Sequence, residues 1–153
     1  MKIALVDDEQ RQLDILRDTL TAALADLGFD AENIECFTAG DAFLDSMEAN
    51  KYDIILLDIY MNNLNGVDVA RKIREIDEDV ALAFCTSSNE YASQSYEVDA
   101  RYYLQKPISK EKVAAMLRRF NLSKIERSRQ IRLPDGSRIP LRHILLSTIT
   151  TVF

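Results

Sequence analysis

The feature that most restricts this chain is a rhythm of two hydrophobic periods, repeated five times along its first 120 residues. Short apolar runs read as buried strands: "KIALV" (2–6), "NIECF" (33–37), "YDIILLD" (52–58), "VALAFCT" (80–86) and "RYYLQK" (101–106). Each is followed by a segment with helical spacing. Leu13, Leu16, Leu20, Leu24 and Leu27 mark the first helix, which Gly28 stops. Phe43, Leu44 and Met47 mark the second, and Val69, Ile73 and Ile76 the third. The segment 89–98, "NEYASQSYEV", is the weakest, its inward face carried by tyrosine, alanine and Val98. A last helix over 109–129 points Val113, Met116, Leu117 and Phe120 inward, with Ser109 as its cap after a Lys-Pro turn.

Five such units predict a doubly wound α/β fold, a (βα)5 five-stranded parallel sheet. Right-handed crossovers place helices on both of its faces. The run Ile54–Leu57 is apolar without alternation, as a strand at the centre of a parallel sheet must be. Ligands in such sheets sit beyond the carboxyl ends of the strands. Chemistry is therefore expected there.

What stands at those ends is unusual. The first strand runs into Asp7 and Asp8, the third into Asp58, the fourth into Thr86 and Ser87, and the fifth into Lys106 and Pro107. Taken singly, each has an ordinary reading as a turn or a cap. Together they gather carboxylates on one edge, where they repel one another unless a cation intervenes. A hard divalent ion with oxygen ligands resolves the conflict, and Mg²⁺ suits carboxylates, a backbone carbonyl and retained waters. Lys106 and the Thr86 hydroxyl add a positive charge and a donor. Such a set can stabilise phosphoryl oxygens, with Asp58 as the nucleophile that accepts the phosphoryl group.

Composition excludes several alternatives. The longest apolar run, Val80–Cys85, is far too short for a bilayer span, so no membrane is expected. The start "MKIALVDDEQ" lacks the form of a signal peptide. Cys36 and Cys85, the only cysteines, sit inside apolar runs and read as buried free thiols of a reducing, cytoplasmic compartment. One histidine, His143, and no CxxC argue against zinc. Charge is divided unevenly: residues 1–100 carry −15 and residues 101–153 carry +9, within a total of −6. The basic third reads either as a nucleic-acid surface or as a solvated helix face with a basic linker.

With those residues in view, "IALVDDE", "DIILLDIYMNNLNG", "AFCTSS" and "YYLQKPIS" resemble the receiver domain of two-component response regulators, a flavodoxin-like fold. The resemblance covers about residues 1–122. It implies Asp58 as phosphoacceptor, with Mg²⁺ held by Asp8, Asp58 and the backbone carbonyl of Tyr60, and Asp7 completing the acidic pocket. It implies phosphoryl contacts from Thr86 and Lys106, and a switch in which Thr86 moves inward and Tyr103 follows. A sensor histidine kinase is the implied partner, a homodimer is allowed, and the chain is a signalling module, not an enzyme. Asn62 stands where many members of the family carry proline, a departure that bears on dephosphorylation rate and not on the acceptor.

The character changes near Gln130. Residues 123–130 read as a linker, and "QIRLPDGSRIPL" as a hairpin about a Pro-Asp-Gly turn. "HILLSTITTVF" reads as a further strand, and His143 as a surface residue of it. Residues 131–153 resemble the start of a LytTR-type DNA-binding domain, too short to bury a core alone. DNA would be reached only through a complete domain, which is missing here. Arginines 127, 129, 132, 138 and 142 suit either phosphate contacts or linker solvation.

Two other functions compete with a phosphorylation-controlled regulator of transcription. A stand-alone receiver would act by protein contact alone. A phosphohydrolase of haloacid-dehalogenase type also uses an aspartate after a strand, but it expects a second aspartate two residues on, where Tyr60 stands.

Overall fold

The computed structural model describes residues 1–140 apart from Glu32, Asn63, Arg129 and Gly136. Five strands alternate with helices. They are β1 (Lys2–Val6), β2 (Asn33–Phe37), β3 (Ile54–Leu57), β4 (Ala81–Thr86) and β5 (Tyr102–Gln105), interleaved with α1 (Gln10–Asp26), α2 (Gly40–Ser46), α3 (Gly66–Ile76), α4 (Ala92–Glu97) and α5 (Lys110–Arg119). The sheet order is β2-β1-β3-β4-β5 with every pair parallel. The predicted doubly wound (βα)5 sheet is thus present, with β3 at its centre.

The pleat divides the apolar residues between two cores. Ile3 and Leu5, Ile54 and Leu56, and Ala81, Ala83 and Cys85 face the side covered by α1 and α5. Ala4 and Val6, Ile55 and Leu57, and Leu82 and Phe84 face α2, α3 and the end of α4. Each strand end is therefore held from both sides, and β3 shifts neither up nor down without exposing a buried residue.

Most helix faces match their sequence periods, and the departures lie at helix ends. Leu13, Leu16, Leu20 and Leu24 are buried, but Leu27, just past α1, is 37% exposed. On α3, Val69 and Ile73 are buried with Val67 and Ala70, while Ile76, its last residue, is 38% exposed. Both stand where the chain turns away from the sheet. In the α4 region Val98 is buried and Tyr91 is half-buried, but Tyr96 is 84% exposed. Cys85 is buried as expected; Cys36 is only half-buried, and both are free.

The long helix expected over 109–129 is two helices. Ser109 caps α5 by accepting from the Lys112 amide at 3.2 Å, as predicted. The chain then breaks at Asn121, whose φ of 51° is left-handed, a conformation asparagine tolerates better than most residues. A further helix, α6 (Leu122–Ser128), follows and buries Leu122 and Ile125 against the α1–α5 core. The stretch 123–130, expected as a linker, is mostly helical and begins docked, because the reversal at Asn121 brings Leu122 and Ile125 onto the core. Beyond it, β6 (Gln130–Arg132) and β7 (Arg138–Pro140) pair antiparallel as the expected hairpin, and Asp135 in its turn accepts from the Ser137 amide at 2.8 Å. The strand expected over 143–153, His143 and Arg142 lie outside the described residues, as do Arg129 and the side chains of Arg127, Arg132 and Arg138.

Candidate functional site

The carboxyl edge of the sheet is assembled by backbone ladders that run one residue past the strands. The Asp58 amide donates to the Val6 carbonyl at 2.9 Å, and the Asp7 amide to that of Phe37 at 3.0 Å. The Lys106 amide donates to the Thr86 carbonyl at 2.8 Å, which brings the ends of β4 and β5 together. Asp7, Asp8 and Asp58 each offer a carboxylate oxygen within 4.8 Å of the others. Asp7 and Asp58 are buried, at 5% and 6% exposure, so their charges lie largely out of water.

Lys106 is the counter-charge. Its Nζ lies 2.7 Å from Asp7 Oδ2 and 3.5 Å from Asp58 Oδ2. Asp7 also accepts from the Glu9 amide at 2.9 Å, and Asp8 from the Asn62 amide at 3.2 Å. Asp58 accepts from the following amide, Ile59, at 2.8 Å. Burial pushes the Asp58 carboxyl above its ordinary pKa; Lys106 pulls it back, and the negative charge of Asp7 adds to the rise. Burial alone would lower Lys106, but its bond to Asp7 and the charges of Asp58 and Asp7 outweigh that and raise it. One lysine thus offsets carboxylates that remain under-compensated.

Thr86 is fully buried, and its hydroxyl has no hydrogen-bonding partner among the described residues. Such orphans are uncommon in a native interior and mark a place where a partner is expected. Cys85 beside it is no nucleophile, since burial pushes its thiol up to about 12. Asp58 and Lys106 open onto a depression of about 460 Å³, lined also by Tyr60, Ser87, Pro107, Ile108 and, from α1, Ile15. Asp8 borders a second hollow with Thr38, Asp41, Met61 and Asn62.

Of the residues singled out in the sequence, Asp7, Asp8, Asp58 and Lys106 come together at one point. Thr86 adjoins them through the β4–β5 pairing. Tyr103 sits one step away: half-buried, it packs its ring near Phe84 at 6.2 Å and donates its hydroxyl to the Ser88 carbonyl. Tyr60 bridges by its backbone to Asn65, while its exposed ring crosses to the β4–α4 loop. Two further residues matter that sequence reasoning passed over. At Gly66 a Cβ would lie 2.0 Å from the Asp58 carbonyl oxygen, so nothing larger fits. Asn65 caps α3, accepting from the Val67 amide at 2.8 Å.

Residues 3–118 match the response regulator receiver domain. The chain belongs to that family. Receiver domains typically bind Mg²⁺ at an acidic pocket, and this chain gathers Asp7, Asp8 and Asp58 in one cluster. Among relatives, this receiver is 30% identical over 141 residues to the sensory transduction protein LytT of Bacillus anthracis, covering 88% of this chain and 54% of that one. It is 30% identical over 124 residues to the transcriptional regulatory protein LytR of Staphylococcus aureus, covering 81% and 48%. The chain thus spans about half the length of these relatives. Solved structures agree. The response regulatory domain of mrkE from Klebsiella pneumoniae superposes with a TM-score of 0.66 at 26% identity, over 83% of this chain and 99% of that one. The response regulator TrrA of Thermotoga maritima, solved in complex with Mg²⁺ and a beryllium fluoride, superposes with a TM-score of 0.59 at 26% identity, over 78% and 97%. Among the described residues no helix is long and apolar enough to cross a membrane.

Proposed function

We propose that this receiver is switched by phosphorylation of Asp58. The observation that carries the reading is the crowding of Asp7, Asp8 and Asp58 within 4.8 Å beside one lysine, next to an orphaned Thr86 hydroxyl. The carboxylate oxygens fit a hard divalent cation, with Asp8, Asp58 and the Tyr60 carbonyl as its protein ligands. When bound, Mg²⁺ would relieve the repulsion and draw charge from phosphoryl oxygens.

The chain's own groups supply the rest. An Asp58 carboxylate oxygen forms the new bond to phosphorus, and the bond from phosphorus to the donor breaks, its electron pair leaving with the donor. Lys106 moves its attention from Asp7 to a phosphoryl oxygen, and the Thr86 hydroxyl donates to another. Asp7 keeps the pocket acidic and holds the Glu9 amide. Tyr103 follows Thr86 and reports the change to the β4–α4 loop. A phosphohistidine of a sensor kinase is the donor in this reading, and the reaction takes place in the cytoplasm.

Incubation with Mg²⁺ and acetyl phosphate should add one phosphoryl group by mass, and the Asp58→Asn variant should gain none. Repeated turnover of a phosphate ester with no lasting adduct would overturn the reading in favour of a hydrolase. For Tyr103, an unchanged spectral response of Tyr103→Ala to beryllofluoride would remove its switch role.

The output is a separate part of the proposal. Residues 1–122 form the receiver and residues 131–153 open an output domain of LytTR type, so that the whole protein regulates transcription by binding DNA. The support is the name of the LytR relative and the β6–β7 hairpin that follows α6. Phosphorylation-dependent binding of the full-length protein to promoter DNA tests it; a receiver that acts by protein contact alone would show none.

A further inference from the structure

The loop leading out of the site runs from Thr86, at the end of β4, to Ala92, the first residue of α4. Two phenols hold it from opposite sides. Tyr103, on β5, donates to the Ser88 carbonyl. Tyr60, two residues past Asp58, donates to the Glu90 carboxylate and sets its ring edge-on against Tyr91, with centroids 5.6 Å apart and planes at 69°. Tyr60 is itself fixed at its base, because its backbone bridges to Asn65 at the cap of α3. It also lines the same depression as Asp58, Ser87 and Lys106. Its side chain therefore ties the β3–α3 loop to the β4–α4 loop across the mouth of the pocket.

The two ends of α4 are held differently. At its C-terminal end, Arg74 of α3 donates from Nε to the Val98 carbonyl at 2.6 Å and from Nη2 to that of Asp99 at 2.9 Å. The same guanidinium reaches the Val80 carbonyl at 2.8 Å. That end is anchored to α3 and to the segment entering β4 by charge-assisted bonds. Within α4 itself only Ser95 is buried, so little apolar packing holds the helix. Its N-terminal end is held by the two tyrosines and by Tyr91, which packs against the core beneath α2 and α3.

We propose that Tyr60 is a clasp that holds the β4–α4 loop in the arrangement described above and that a phosphoryl group on Asp58 works against it. This rests on Asp58 being the phosphoacceptor. Phosphorylation replaces the single negative charge of the Asp58 carboxylate with nearly two on the phosphoryl group, in a cavity that Tyr60 helps to line. The clasp holds the Glu90 carboxylate on the hydroxyl of a residue that lines the cavity, and like charges disfavour the arrangement. For Thr86 to donate to the phosphoryl group, the strand end carrying Ser87 must adjust, and the loop tethered to Tyr60 resists. Release lets the N-terminal end of α4 move about the pivot fixed by Arg74. Tyr60 is thereby a positioning residue acting through the loop, and removing its hydroxyl favours the modified state.

The test uses the full chain, uniformly ¹⁵N-labelled, titrated with beryllofluoride in the presence of Mg²⁺ and followed by amide NMR. Tyr60→Phe keeps the ring against Tyr91 and loses only the hydroxyl; Glu90→Gln keeps an acceptor and loses the charge. A net bond to a carboxylate at an exposed site corresponds to roughly fivefold in an equilibrium constant. Tyr60→Phe should therefore bind beryllofluoride about fivefold more tightly than the unaltered chain, and Glu90→Gln should gain in the same direction, with less gain at high salt. In the free protein, Tyr60→Phe should shift the amides of Ser87–Ala92 while those of β1 and α1 stay in place, which also shows that the variant folds. Equal midpoints, or weaker binding by Tyr60→Phe, would overturn the clasp while leaving Asp58 as acceptor. Failure of the unaltered chain to respond at Asp58 and Lys106 would overturn the phosphoacceptor reading, and the clasp with it.

Discussion

Asp53 and Asp58 stand at opposite ends of the same strand, β3, and are almost equally buried, at 4% and 6% exposure. Their surroundings differ in kind. Asp53 accepts from the Lys2 amide at 2.7 Å, while its own amide donates to the Lys2 carbonyl at 2.8 Å, so it closes the start of the β1–β3 ladder. Asp77, on the same amino edge, accepts from the amides of Asn50, Asp79 and Val80. These carboxylates are absorbed by backbone donors. Asp58 also accepts from an amide, but its other charged neighbours among the described residues are two more carboxylates and a shared lysine. Burial does not distinguish Asp53 from the proposed phosphoacceptor; the two further carboxylates gathered at Asp58 do.

The largest effect expected from breaking this contrast comes from Gly66. A Cβ there would meet the Asp58 carbonyl oxygen at 2.0 Å and the Ile59 Cα at 2.7 Å, both backbone atoms that have no rotamer to yield. Gly66→Ala should cost about 3 kcal/mol in urea unfolding and weaken beryllofluoride binding, because it displaces the end of β3 itself. Gly40→Ala is the control. Its Cβ would meet Val69 Cγ2 at 3.0 Å, a side-chain contact and not a backbone one, and the substitution should cost about 1 kcal/mol, less than Gly66→Ala.

Next come the absorbed carboxylates. Asp77→Ala should cost about 2 kcal/mol, since three amides lose their acceptor, and phosphorylation of Asp58 should persist. Asp53→Ala should cost about 1 kcal/mol, with the same persistence, as it removes the bond to the Lys2 amide. Chemical denaturation paired with mass spectrometry checks both. Loss of phosphorylation in either, with the fold intact, would contradict the division between the two edges.

Much of this was legible in the sequence, and the reasons are local. The uninterrupted run Ile54–Leu57 put β3 at the centre, and a parallel sheet then forces Asp7, Asp8, Asp58, Thr86 and Lys106 onto one edge. What escaped depends on partners distant in the chain. Nothing near Tyr60 shows that its hydroxyl reaches Glu90, thirty residues on. The need for glycine at position 66 arises from the backbone of Asp58, visible only once α3 is packed. The α5–α6 break, by contrast, shows in the spacing alone: Leu122 falls about 200° round a continuous helix from Phe120, and only the reversal at Asn121 returns it and Ile125 to the core. Asp53 and Asp58 flank "IILL" symmetrically, and sequence alone favoured Asp58 only through its companions on the other strands.

The smallest effect, and one of opposite sign, is expected from Asp58→Asn without divalent cation. Burial first, and then Asp7, raise the Asp58 pKa in the folded chain, against the pull of Lys106. The folded state therefore holds that proton more tightly than the unfolded one. The stability this lends is complete below the ordinary carboxylate pKa of about 3.9 and is lost as pH rises through the higher folded value. At neutral pH an ionised Asp58 is thus a burden to the fold, and asparagine removes it. Asp58→Asn should be more stable than the unaltered chain at pH 7 in a chelator, with the gap closing as pH falls through the folded pKa. Added Mg²⁺ should close it from the other side, because binding stabilises only the chain that keeps its acidic pocket. A variant less stable than the parent at pH 7 without metal would mean that Asp58, like Asp53, is absorbed by its surroundings.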